Sequence, residues 1–179
     1  MTDSTSQLVL PPLLLLDVDG VLAPFQGDVL SMSRVGGEGF RRVDLDPQIG
    51  LRETFLWVSD ANNERLSKLG DSFEIVWATG WADSANRVIG PLHALKELPV
   101  VELDWTFETP TWKLPSIESF VPDNRPCVWV DDDLGEDAER WAEQRRAPTL
   151  LVRCEPHIGL TDQLTERCLE WVAGLSRDT

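Results

Sequence analysis

Six apolar runs of strand length punctuate the chain, at Leu13 to Leu16, Thr54 to Val58, Phe73 to Ala78, Pro99 to Leu103, Cys127 to Val130 and Thr149 to Val152. Most of them lack the polar alternation of a strand with one wet face. A continuous apolar run suits a strand covered on both sides, and parallel sheets sandwiched by helices are where such strands occur. Helical spacing appears between the runs. Ser59 or Asp60 can cap a helix carrying Leu66 and Leu69 and stopping at Gly70, and Ala85, Val88, Ile89, Leu92 and Leu95 continue the period until Gly90-Pro91 kinks or splits it. A third helix near Glu136 to Arg146 buries Ala138, Trp141 and Ala142. A last one starts at a Thr161 cap and aligns Leu164, Cys168, Trp171, Val172 and Leu175.

Strands alternating with helices imply right-handed βαβ units and an α/β, doubly wound, mainly parallel sheet, whose ligands bind beyond the carboxyl ends of the strands. At 179 residues, 42% hydrophobic and 26% charged, the chain has the size and balance of one globular domain over residues 11–179, after a disordered tail over residues 1–10. The segment Pro24 to Glu53 has no place in the alternation. Its glycines, Gly36, Gly37 and Gly39, followed by FRRVDLD, read as a flap or short hairpin over the site.

The first run ends in LLLLDVDGVL and the fifth in CVWVDDDL. If both strands are central, Asp17, Asp19, Asp131, Asp132 and Asp133 crowd one rim of the sheet, and like charges that close cannot all stay ionised unaided. A hard cation with oxygen ligands, Mg²⁺ above all, relieves the crowding. Thr79 follows the third run and Lys113 the fourth. Lysine is scarce, only Lys68, Lys96 and Lys113, and Lys113 alone falls on that rim. Carboxylates, a hydroxyl and an ammonium around a metal form a minimal kit for phosphoryl transfer, in which positioning and charge neutralisation supply most of the catalysis.

In this order, DVDGV, VWATGW, WKLPS and VDDDL resemble the four motifs of the haloacid dehalogenase (HAD) superfamily of aspartate-nucleophile phosphotransferases. The resemblance spans roughly Leu13 to Trp171. WATGW, WKLP, VDDDL and the late GLT also look like the compact, nearly capless HAD proteins related to the HAD domain of Swiss-army-knife RNA repair proteins. By resemblance, Asp17 is the nucleophile that forms an aspartyl-phosphate, and Asp19 protonates the leaving group and then activates water. Thr79 and Gly80 bind phosphoryl oxygens with Lys113. Mg²⁺ is held by Asp17, Asp19, Asp131 and Asp132, although three consecutive acids leave open whether Asp132 or Asp133 is the second acid of the last motif. An Asp two places after the nucleophile marks phosphatases and phosphomutases rather than dehalogenases in that superfamily.

The resemblance therefore implies a Mg²⁺-dependent phosphomonoester hydrolase with a short flap and no large cap. Its substrate is a nucleotide or a polynucleotide end, with a phosphoprotein or small metabolite as alternatives, or else the chain is a non-catalytic metal- or phosphate-binding module. Loss of Asp17 or Asp19 would mark the module, and both are present. A receiver domain would place its acidic pair before the Thr and Lys, whereas Asp131 follows both.

Lys and Arg number 16 against 31 Asp and Glu, a formal charge of −15, which disfavours long contacts with nucleic acid or anionic lipid. Cys127, Cys154 and Cys168 form no CxxC pair, and the opening LVLPPLLLL is short and broken by prolines, so the expectation is a cytoplasmic protein without a membrane span. Of the eight Trp, Trp77, Trp81, Trp105, Trp112 and Trp129 sit near the motifs. Core packing is the favoured reading for them, with Trp81 and Trp112 placed beyond strand ends where they line the mouth and can stack on a base. His93 and His157 read as structural or surface residues. Arg41 and Arg42 either meet a substrate phosphate or belong to an exposed hairpin.

Overall fold

In a computed structural model, residues 10–25, 39–46, 54–106, 108–175 and 177 are described. The expected tail, apart from Leu10, and the Gly36-Gly37 part of the flap lie outside them. Four strands form a parallel sheet: β1 (Leu13–Leu16), β4 (Glu74–Trp77), β5 (Cys127–Asp131) and β6 (Thr149–Arg153), in the order β4, β1, β5, β6. The two strands that end in acid, β1 and β5, are the central pair.

The sheet explains why its strands do not alternate. Leu14 and Leu16 of β1, with Val128, Val130 and Ile75, face one layer, while Leu13 and Leu15, with Cys127, Trp129 and Val76, face the other. The first layer is closed by Leu66 and Leu69 of α1 (Ala61–Gly70) and Cys168 of α5 (Asp162–Leu175). The second is closed by Ile117 of α3 (Leu114–Phe120) and by Ala138 and Trp141 of α4 (Glu136–Gln144). Alternate side chains enter opposite cores, so all of β1, and β5 up to Asp131, is apolar.

Helix ends follow their local chemistry. The Thr161 hydroxyl accepts the Leu164 N–H at 3.3 Å at the start of α5. The Ser59 hydroxyl, rather than the Asp60 carboxylate, accepts the Ala61 N–H at 3.3 Å ahead of α1. Gly90-Pro91 splits its segment as expected, into a π-helical turn over Ala85–Ile89 and a short helix α2 (Gly90–Leu92), because Pro91 has no N–H to continue the ladder. Helix α3 escaped the periodicity reading. It is too short for a repeating apolar stripe, and Pro115 in its first turn was its one signal.

Two expected strands behave differently. Thr54 to Val58 was expected among the parallel strands, but β3 (Phe55–Ser59) pairs antiparallel with β2 (Phe40–Asp44) in a separate hairpin. An apolar run reports burial, not partner. The hairpin turns Leu56 and Val58 into the first core layer. Pro99 to Leu103 joins the outer edge of β4 through a single bridge at Val100, with Val101 N–H to Trp77 O at 2.8 Å. Among the described residues no helix is long and apolar enough to cross a membrane.

Candidate active site

Because β1 and β5 are adjacent and parallel, their carboxyl ends deliver Asp17 and Asp131 to the same point. The Asp17 N–H continues the ladder to Val130 O at 3.1 Å, which fixes the nucleophile candidate just past the last strand pair. Carboxylate oxygens of Asp17, Asp131 and Asp132 all lie within 4.8 Å of one another. Asp17 and Asp131 are buried, and Asp132 is half-buried. Asp132 is therefore the second acid of the cluster. Asp133 is exposed, and its backbone N–H donates to Asp131 Oδ1 at 3.0 Å.

Lys113 stands immediately before α3 and reaches into the cluster, with Nζ 2.7 Å from Asp17 Oδ2 and 2.8 Å from Asp131 Oδ2. Its segment is stapled from below. Asp137, in the first turn of α4, accepts the Thr111 N–H at 3.0 Å and the Thr111 hydroxyl at 2.6 Å, and that hydroxyl accepts the Gly135 N–H at 2.7 Å. Sequence reasoning missed Thr111 and Asp137, since no motif links positions so far apart. It read Trp129 as core but not its polar contact, the buried indole N–H donating to Asp131 Oδ2 at 3.1 Å.

The charges perturb one another strongly. Burial raises the Asp17 carboxyl above its ordinary value by more than Lys113 lowers it. The Asp131 carboxyl is pushed up to about 7, by burial first and then by the charge of Asp17, against the pull of Lys113. Asp132 is also raised, by burial and by Asp131. Burial works against the Lys113 ammonium, but the two carboxylates outweigh it and hold its pKa above the usual lysine value. Three carboxylates that resist ionisation together form a donor set suited to a hard divalent cation, so the residues present fit one.

The other expected residues divide. Thr79 is buried two residues past β4, and its Oγ1 accepts the Trp81 N–H at 3.4 Å. Asp19 does not put its carboxylate in the three-acid cluster; its Oδ2 accepts the Trp81 indole N–H at 2.9 Å. Trp81, expected at the mouth, is thus a buried prop, 6% exposed, because its indole turns inward to that carboxylate. Its place in the mouth is taken by Trp105. A cavity of about 420 Å³ is lined by Asp17, Asp19 and Lys113 together with Gly80, Trp105, Trp112 and Phe25. Trp77 and Trp129 are core, as expected.

A family model described as the HAD domain in Swiss Army Knife RNA repair proteins matches residues 13–164. The chain belongs to this HAD family. The match covers every strand of the sheet and the whole acidic cluster, and it makes the chain a phosphatase-type hydrolase domain for a phosphorylated substrate. No curated protein and no solved structure matches it.

Arg41 and Arg42 do not line the cavity. Arg41 is held by Asp60 at 2.7 Å, and Arg42 by Asp44 at 2.7 Å and over the Phe55 ring at 4.0 Å, which is the exposed-hairpin alternative. His93 is buried with Nδ1 3.0 Å from Asn63 Oδ1, a structural position. His157 is exposed, with Nδ1 3.2 Å from the Phe25 carbonyl, a surface position. The three cysteines are free and buried.

Proposed function

We propose that this HAD domain is a Mg²⁺-dependent phosphomonoester hydrolase working through a phosphoenzyme on Asp17, with a nucleotide or a polynucleotide end as substrate. The observation that carries the reading is the Lys113 ammonium set between Asp17 and Asp131 at 2.7 and 2.8 Å, inside a cluster of three carboxylates at the rim of the sheet. A buried cation touching a buried carboxylate lowers the cost of ionising it for attack, and the same cation faces the incoming phosphate.

Asp17 Oδ attacks phosphorus as the bond from phosphorus to the leaving oxygen breaks. Asp19 gives that oxygen a proton. Asp19 then takes a proton from a water that attacks the phosphoaspartate, which releases inorganic phosphate and restores the Asp17 carboxylate. The Trp81 indole N–H, 2.9 Å from Asp19 Oδ2, fixes the acid's rotamer for both transfers. Thr79 and the Gly80 backbone line the phosphoryl side, and Lys113 neutralises charge on nucleophile and phosphate. Asp17, Asp131 and Asp132 would hold Mg²⁺, which would supply further charge neutralisation for the phosphoryl group. Between Thr79 and Lys113 the described residues carry a π-helical turn, a short helix and an extended edge segment, with no large cap inserted among them.

Phosphate release from an aryl phosphate, with and without Mg²⁺, tests the reading. Metal-dependent turnover in wild type is expected, with acid-quenched protein carrying a phosphoryl group on Asp17 and Asp17→Asn inactive. Turnover that survives Asp17→Asn would sink the phosphoenzyme.

A further inference from the structure

The cavity wall has a composition that catalysis on phosphate alone does not require. Large apolar side chains ordinarily leave water, yet Trp105 is 59% exposed and Phe25 is 46% exposed. These residues, far apart in the chain, line the same cavity as Asp17 and Lys113. Trp105 lies nearly parallel to Trp112, with centroids 4.6 Å apart and planes 23° apart. Trp112 leads directly to the cation, with Lys113 Nζ 5.7 Å from its ring centroid. The pair is also seated on the loop after β4, since a Cβ on Gly80 would come within 2.8 Å of the Trp105 indole. A flat aromatic surface is thus fixed on both sides by backbone that carries the phosphate-facing residues.

Packing alone explains this poorly. A wedge that only fills space between two loops would be buried, and an aliphatic side chain would serve as well as an indole. Two stacked indoles at an open cavity offer a π-face, which binds any planar ring with little regard for its hydrogen-bonding edges. Asp132 and Asp133 line the same cavity, and the chain carries a formal charge of −15, so a long polyanion is repelled while one ring and one phosphate fit.

We infer that the Trp105–Trp112 pair is a ring-binding subsite that selects phosphomonoesters whose leaving group carries a planar aromatic ring. The inference rests on the phosphatase reading for the phosphate half of the ligand. It makes Trp105 a specificity residue with no part in the chemical step.

The test uses Asp17→Asn protein in Mg²⁺, so that no ligand turns over, and measures Kd by calorimetry together with the Trp105 indole N–H resonance. The ligands are 5′-AMP, phenyl phosphate, ribose 5-phosphate and adenosine. At least one of 5′-AMP and phenyl phosphate should bind about 5- to 150-fold more tightly than ribose 5-phosphate, the range that one stacking contact supplies. Preference for 5′-AMP identifies a nucleobase, and preference for phenyl phosphate a simple aryl group. The advantage should collapse in Trp105→Ala and persist in Trp105→Phe, with the loss confined to ring-bearing ligands. Equal Kd values for all three phosphates, or an equal weakening of all three in Trp105→Ala, would overturn the subsite. Adenosine separates this inference from the phosphatase reading. A Trp105 shift with adenosine but no phosphate release by wild type removes only the phosphatase reading, whereas phosphate release without that shift removes only the subsite.

Discussion

Lys113→Met removes the only cation that touches the buried acids Asp17 and Asp131 among the described residues. At 2.7 and 2.8 Å, and with an effective dielectric of about 20, each attraction is worth about 6 kcal/mol before desolvation is charged against it. The repulsion it offsets remains. Carboxylate oxygens of Asp17 and Asp131 lie within 4.8 Å, which at the same dielectric is at least about 3.5 kcal/mol between two full charges. Breaking a buried ion pair by deleting one partner commonly costs about 3–5 kcal/mol, and this range is expected for the variant at pH 8.

The pH dependence supplies the sign. Both carboxyls have folded pKa values raised above 3.8, Asp131 to about 7, so the fold holds their protons more tightly than the unfolded chain does. Such groups favour the fold at low pH, and that contribution is lost as pH rises through the folded value. Without Lys113 the loss deepens, so the deficit should be largest at pH 8 and shrink toward pH 5, below the folded value of Asp131. Urea unfolding of metal-free wild type and variant at the two pH values measures it. A divalent cation at about 100 times its Kd should return about 2.7 kcal/mol at pH 8. A deficit below about 1 kcal/mol, or one equal at both pH values, would show that the three groups are not coupled as argued.

Other outcomes follow from the same geometry. Asp132→Asn should weaken Mg²⁺ binding, followed by calorimetry, by at least about 10-fold, while Asp133→Asn, outside the cluster, should leave it near wild type; the reverse ranking would misplace the second acid. Trp81→Phe keeps the buried ring but deletes the indole N–H to Asp19, and should lower kcat about 10-fold on alkyl phosphates, whose leaving oxygen needs the proton, with a smaller effect on an aryl phosphate. Equal losses on both would argue against a role through Asp19. Burial and then the Arg41 guanidinium push His93 down to about 4, so the unfolded chain binds its proton first and the fold loses up to about 3 kcal/mol as pH falls from about 6.5 toward that value. His93→Gln should flatten that part of the stability profile in thermal unfolding, and an unchanged slope would refute the assignment.

Much of the candidate site was legible because its geometry is local. An acid directly after an apolar run stands at the end of a buried strand, and two such strands that pair in parallel must bring their acids together. That reasoning reaches Asp17 and Asp131, and the order of motifs adds Thr79 and Lys113. It stops where a side chain chooses between directions. Trp81 and Trp105 both follow strand-like runs, but Trp81 turns inward to Asp19 while Trp105 stays in the cavity on Trp112. Nothing in either local string separates them.

The sequence by itself determined the layered α/β class, the capping of the long helices, the split at Gly90-Pro91 and the rim on which the acids gather, because periodicity, chain direction and backbone restriction act over a few residues. Only the tertiary structure decided that Phe55–Ser59 leaves the sheet for a hairpin, that Asp132 rather than Asp133 joins the cluster, and that Asp137 secures the Lys113 segment through Thr111. Each of these depends on which distant surface a side chain meets. Burial, which both the hairpin strand and the sheet strands satisfy, does not specify the partner that provides it.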